Sequence, residues 1–133
     1  QLHFPHDLSR ERISDWSALI GPENLWLAPK LPPGESFPKD LIEFADNFLI
    51  DGHSTDAYGG TGHTADWAGF AECKRLWPHK GWILAGGLSP ENIREALHVS
   101  GADQVDANSG VESAPGIKDP AKLRAFFTAA RAT

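Results

Sequence analysis

Two glycine-bearing segments in this 133-residue chain carry the clearest chemistry. Gly86-Gly87 follows the apolar run Ile83-Leu84-Ala85 and precedes Ser89-Pro90, an N-cap and first-turn pair that would open a helix. With no Cβ in the way, the amides of such a loop approach an anion closely, and the helix behind it favours negative charge. Asn108-Ser109-Gly110 follows Gln104-Val105-Asp106-Ala107 in the same manner. Either glycine segment alone has an alternative reading as a plain chain turn. Two in consecutive units predict one shared phosphate site. Asp51 ends the apolar run Phe48-Leu49-Ile50. A carboxyl there is expected to be partly desolvated and suited to general acid work, with an N-cap or loop anchor as the plainer alternative. Asp106 occupies the matching place on the last strand. It would orient a substrate hydroxyl or amine, or pair with a lysine.

Other features are weighed and set aside. Gly59-Gly60-Thr61-Gly62 has neither the Walker spacing nor the dinucleotide fingerprint, and is read as a lid over the site. The six histidines, His3, His6, His53 and His63 among them, show no metal-motif spacing, so no metal is expected. Cys73 lies mid-helix near Phe70 and Trp77 and reads as a small buried hydrophobe. A net charge of −6, with no basic run longer than Lys74-Arg75, argues against a nucleic-acid partner. No apolar stretch approaches the ~18 residues of a membrane span. A single cysteine excludes a disulfide framework. The expectation is a soluble domain of a reducing compartment, the cytoplasm.

These groups need elements to hold them, and the pattern alternates strand and helix throughout. Strands are predicted at Leu2–Phe4, Leu25–Ala28 (closed by Pro29), Asn47–Asp51, Gly81–Ala85 and Gln104–Ala107. Helices are predicted from Ser9 to Ile20 with Gly21 as a left-handed cap, after Pro38, after Asp66, from Ser89 to about Ser100-Gly101, and after Asp119-Pro120. Ile13, Trp16, Leu19 and Ile20 are taken as one apolar face, and Leu123, Phe126 and Phe127 as another. Such alternation forces parallel strands with helical crossovers, which both a doubly wound sheet and a (β/α)₈ barrel satisfy. In either, the polar residues lie where chemistry is done, just past the C-terminal ends of the strands.

Four blocks then resemble a known family. They are Phe48-Leu49-Ile50-Asp51; Tyr58-Gly59-Gly60-Thr61-Gly62 with Asp66-Trp67; Ile83 through Asn92; and Asp106-Ala107-Asn108-Ser109-Gly110-Val111-Glu112-Ser113-Ala114-Pro115-Gly116-Ile117-Lys118-Asp119. In order and content they are similar to phosphoribosylanthranilate isomerase, and Gln1-Leu2-His3 matches that family's fourth strand. The resemblance implies a (β/α)₈ barrel of TIM type, with residues 1–133 as one domain holding its last five βα units and lacking the first three. It also implies an Amadori rearrangement of N-(5-phosphoribosyl)anthranilate in tryptophan biosynthesis, with no metal or organic cofactor. Asp51 matches the family's general acid. Gly86, Gly87, Ser109 and Gly110 match its phosphate loops, with Asn108 standing where serine is common. His3 and Asp106 match positions that line the substrate pocket. The family's base is a cysteine in a Lys-x-Cys-Gly-type motif, and an arginine after the second strand helps hold the substrate; neither motif occurs in these residues.

Two readings therefore stand side by side. One is an isomerase whose acid and phosphate site lie in this chain, with a phosphorylated small molecule as partner and the rest of the barrel, or a second copy, completing it. The other is an inactive barrel fragment that binds phosphate or associates through open sheet edges. A different phosphate-binding barrel enzyme of the same pathway would need catalytic lysines and glutamates at several strand ends, where only Lys30 comes near.

Overall fold

The computed structural model describes residues 1–32, 35–51 and 66–132. The glycine-rich segment around Tyr58–Gly62 read as a lid, together with His53 and His63, falls outside them. The elements run β1 (Leu2–Pro5), α1 (Arg10–Ile20), β2 (Trp26–Lys30), a 3₁₀ turn at Lys39–Glu43, β3 (Asn47–Asp51), α2 (Trp67–Leu76), β4 (Gly81–Ala85), α3 (Ile93–Ser100), β5 (Gln104–Val105), a second 3₁₀ turn at Ser109–Val111, a hairpin of β6 (Glu112–Ala114) and β7 (Ile117–Lys118), and α4 (Pro120–Arg131). The main sheet has five strands in the order β1-β2-β3-β4-β5. All four of its pairings are parallel. A doubly wound sheet reverses direction at a switch point. Here every strand lies beside its neighbour in sequence, the arrangement of an arc of a (β/α) barrel.

Side-chain alternation along the strands divides the interior in two. Phe4, Leu27, Phe48, Ile50, Trp82 and Leu84 pack with Ile13, Phe70, Ile93 and Phe126 from the helices into the main core. Ala28, Leu49, Ile83 and Ala85 form a separate buried cluster on the opposite face. Aromatic rings cross-brace the helix side: Phe48 stacks on Trp82 at 5.1 Å, and Phe37 meets both edge-on at 5.3 Å. Among the described residues no helix is long and apolar enough to cross a membrane.

The caps mark where the periodic pattern becomes helix. Ser9 Oγ accepts from the Arg12 N–H at 3.4 Å, Asp66 Oδ1 from Gly69 at 2.7 Å, and Asp119 Oδ1 from Ala121 at 2.7 Å and Lys122 at 3.1 Å. Gly101, at φ +62°, ends α3 in the left-handed region and donates to the Leu97 carbonyl at 2.9 Å.

Several boundaries differ from the sequence reading. Pro29 lies inside β2 rather than closing it. The recorded ladder from β2 to β3 covers only Trp26 and Leu27, so none of its bonds calls on the N–H that Pro29 lacks. Gly21 has φ +86° but ψ 132°, so it is not the left-handed cap expected. Pro38 precedes a 3₁₀ turn and not an α-helix. β5 stops at Val105. Leu19 is 84% exposed and Ile20 40%, while Ile13 is fully buried. Leu19 is six residues beyond Ile13, about 240° around the helix, and falls off the apolar face. Phe126 is buried but Phe127 is 55% exposed, because adjacent helical residues are about 100° apart and cannot share one face. The hairpin of β6 and β7 was not foreseen, although Pro115-Gly116 is a turn dipeptide and Gly116 has φ +77°.

Ile13 is the buried contact that seats α1 on the sheet. Ile13→Val is expected to cost about 1 kcal/mol, read as a lower urea midpoint at unchanged slope.

Candidate phosphate and acid site

The two glycine loops meet. Gly86 and Gly87 leave β4 with φ of +91° and +59°, a path that residues with a Cβ rarely follow. Leu88, 1% exposed, then anchors the loop in the core. Asn92 holds the turn from within: its Oδ1 accepts from the Ser89 N–H at 2.8 Å and its Nδ2 donates to the Gly87 carbonyl at 2.9 Å. Ser89 therefore opens a turn, its carbonyl accepting from Asn92 and Ile93 at 3.2 and 3.0 Å, and α3 begins only at Ile93. Ser89 was expected to be the N-cap of α3. The helix starts three residues later than Ser89-Pro90 predicts, and Asn92, bonded to the Ser89 N–H and the Gly87 carbonyl, holds the intervening turn.

Gly110 closes the second loop against the first. A Cβ on Gly110 would overlap the Leu88 carbonyl oxygen and stand 2.8 Å from its carbon and 3.0 Å from the Ser89 Cβ. Only a glycine allows backbone to meet backbone here. Asn108-Ser109-Gly110 and Gly86-Gly87-Leu88-Ser89 thus form one continuous rim. Gly87 and Ser109 are exposed on it, and Gly110 is partly covered.

Asp51 and Asp106 flank that rim. Asp51 pairs in register with Ala85, and the Asp106 N–H donates to the Leu84 carbonyl at 2.8 Å, just past the Leu84–Val105 pair. Two strand spacings place the backbones of Asp51 and Asp106 roughly 10 Å apart, on either side of Ala85. Both project from the face of Leu49, Ile83 and Ala85, opposite the helices. The Asp51 side chain is exposed, so the partial desolvation expected from its apolar strand is absent here. Burial along β3 covers Phe48, Leu49 and Ile50 and stops before Asp51.

His3 shares this face, in register with Ala28, but lies two strands from β3 and is not brought to the glycine loops. It is exposed, with its Nε2 2.7 Å from Gln1 Nε2. Within the rim, the Asn108 carbonyl and Oδ1 both take hydrogen bonds from Lys118. Sequence reasoning passed over Lys118, Glu112 and Asn92. Spacing gave no sign of the first two, since their meeting depends on the hairpin.

Cys73 is 8% exposed within the helix-side core. Burial, reinforced by the nearby charges of Asp66 and Glu72, pushes its thiol up to about 11. A group raised in the folded state stabilises the fold below its unfolded value, near 9, and that stability is lost as pH climbs towards 11. Tm is expected to fall between pH 9 and 11 more steeply in the wild type than in Cys73→Ala. Identical slopes would contradict this.

Comparison with known proteins fits this geometry. The profile described as PRAI, N-(5'phosphoribosyl)anthranilate (PRA) isomerase, matches residues 9–129. The chain belongs to this family. It is 45% identical over 97 residues to the N-(5'-phosphoribosyl)anthranilate isomerase of Neisseria meningitidis serogroup A, covering 68% of this chain and 45% of that protein. It is 51% identical over 85 residues to the isomerase of Geotalea uraniireducens, covering 63% of this chain and 40% of that one. The crystal structure of TrpF from Jonesia denitrificans, 36% identical, superposes on 98% of this chain and 58% of its own with a TM-score of 0.64. The chain therefore spans less than half the length of the curated isomerases it matches. Membership of the isomerase family also identifies the sheet as part of a TIM barrel.

Proposed function

We propose that this chain supplies the general acid and the phosphate site of an isomerase that converts N-(5-phosphoribosyl)anthranilate into 1-(2-carboxyphenylamino)-1-deoxyribulose 5-phosphate in tryptophan biosynthesis. Residues 1–133 act as one unit, the last five βα units of the barrel. The observation that carries the reading is the backbone contact of Gly110 with Leu88, which joins two amide-bearing loops into one rim at the C-terminal end of the strands. A phosphate on that rim receives amides from Gly87, Ser109 and Gly110 and directs the sugar across the sheet between Asp51 and Asp106.

Asp51, at its strand end, delivers a proton to the ribose ring oxygen and opens the ring to a Schiff base. Removal of the C2 proton and tautomerisation then give the ketone. The base for that second step belongs, by resemblance, to a Lys-x-Cys-Gly-type strand outside these residues. Cys73 does not replace it, because its thiol is buried among Phe70 and its neighbours and stays protonated at neutral pH. Asp106 orients the substrate's hydroxyl or amine, and His3 lines the far wall. The partner is a phosphorylated small molecule, and a second copy or further barrel units complete the sheet. The acidic charge of −6 suits neither nucleic acid nor an anionic membrane, and the cytoplasm is the compartment proposed.

The test is isomerisation of N-(5-phosphoribosyl)anthranilate by these residues joined to the amino-terminal units of a curated relative. Turnover that disappears when the relative's cysteine is replaced supports the reading. A folded fusion without turnover overturns it.

A further inference from the structure

Lys118 makes a set of contacts that a surface ion pair would not need. Its Nζ donates to the Asn108 carbonyl at 2.9 Å, to Asn108 Oδ1, and to Glu112 Oε1 at 2.8 Å. An ammonium has three N–H donors, and all three are used. Glu112 is held in turn. Its side chain is only 12% exposed, and its Oε2 accepts from the Gly116 N–H at 3.2 Å across the hairpin turn. Its backbone carbonyl accepts from Lys122 Nζ at 2.7 Å, which ties it to α4. The Asp119 N–H closes the base by donating to the Val111 carbonyl at 2.9 Å. The hairpin is thus a strut running from α4 through Glu112 and Lys118 to Asn108.

Resting on the phosphate reading above, and deepening it, we infer that Lys118 is a positioning residue that sets the Ser109 and Gly110 amides through Asn108 without touching the anion. Across a planar trans peptide the N–H points opposite to the carbonyl. Fixing the Asn108 carbonyl on Lys118 therefore fixes the Ser109 N–H on the other side of the same peptide. The next residue, Gly110, packs its backbone closely against the Leu88 carbonyl. The Val111 N–H also reaches the Asn108 carbonyl, at 3.3 Å, so losing Lys118 loosens this peptide and shifts both amides together without freeing them. Asn108 also gains a purpose: its carboxamide gives the ammonium a second acceptor beside the carbonyl.

A charge that merely attracted phosphate would survive replacement by arginine. A tetrahedral donor meeting three acceptors would not, since a guanidinium is a planar fork. The test is titration of inorganic phosphate into the 15N-labelled chain, following amide shifts in wild type, Lys118→Met and Lys118→Arg. Both variants are expected to bind about tenfold more weakly, the scale of one charge-assisted hydrogen bond. Before phosphate is added, the Ser109 and Gly110 signals should move while those of β3 and α1 stay in place. Lys118→Arg binding as tightly as wild type would overturn the inference, as would unmoved Ser109 and Gly110 signals in Lys118→Met. Absence of saturable shifts in wild type would overturn the phosphate reading, and the ligand-free signals would still decide whether Lys118 sets the loop. Glu112→Gln, which keeps Lys118 on Asn108 but removes its counter-charge, offers a milder variant if the methionine chain does not fold. Its expected loss is about threefold, and wild-type affinity together with unmoved signals would again count against the strut.

Discussion

Asp51→Asn is expected to lower kcat at least about 100-fold in the enzyme that carries these residues, with KM changed little, because a general acid stabilises the transition state and not bound substrate. The position makes this specific. Asp51 is the last residue of β3, in register with Ala85, whose strand leads directly into Gly86-Gly87. A substrate held by phosphate at that loop passes the Asp51 carboxyl at the strand end. Asparagine keeps the size and one acceptor of the side chain but has no proton of suitable acidity to give. Steady-state kinetics on wild type and variant decide the matter. Turnover within about threefold of wild type would remove Asp51 from the mechanism, and a large rise in KM at unchanged kcat would make it a binding residue instead.

Gly110→Val is expected to act on binding. Even a Cβ alone at this position would overlap the Leu88 carbonyl oxygen, so the two loops must separate. Their amides then no longer converge on one anion, and phosphate affinity should fall at least about tenfold, the loss of one or more charge-assisted hydrogen bonds. The strand pairings of the sheet do not include this contact, although Leu88 and Val111 beside it lie in the same core. The core of Phe48, Trp82, Leu84 and Ile93 lies on the helix side, and the helical circular dichroism signal should be retained. Valine tolerated with normal phosphate binding would mean that the anion sits elsewhere.

Much of this arrangement is legible from residue order. Apolar runs bounded by Gly, Pro and Asp mark strands because a parallel sheet buries them on both faces. Caps such as Asp66 and Asp119 act through local hydrogen bonds that need only a few neighbouring residues. The sequential order of strands is less legible, since strand–helix alternation fits two architectures, and the family resemblance supplied the choice. Exposure at the ends of elements is not legible at all from local pattern. Asp51 follows three buried residues and is itself exposed, and Phe127 follows buried Phe126 and faces solvent. The strut of Glu112 and Lys118 escaped for a different reason. Its members are six residues apart and polar, and only the antiparallel hairpin that pairs them brings ammonium to carboxylate. Asn92 shows the same limit: a cap read from Ser89-Pro90 alone omits the side chain that reaches back from three residues further on.

The central claim is that two loops from consecutive units make one phosphate site beside Asp51. Mapping of ribose 5-phosphate onto the 15N-labelled chain tests it most directly, because amides report which loop meets the ligand. The account predicts saturable shifts at Gly86, Gly87, Ser109 and Gly110 in a single transition, with Asp51 and Asp106 responding at the same ligand concentration. Shifts confined to one loop, or centred on residues remote from both, would contradict it.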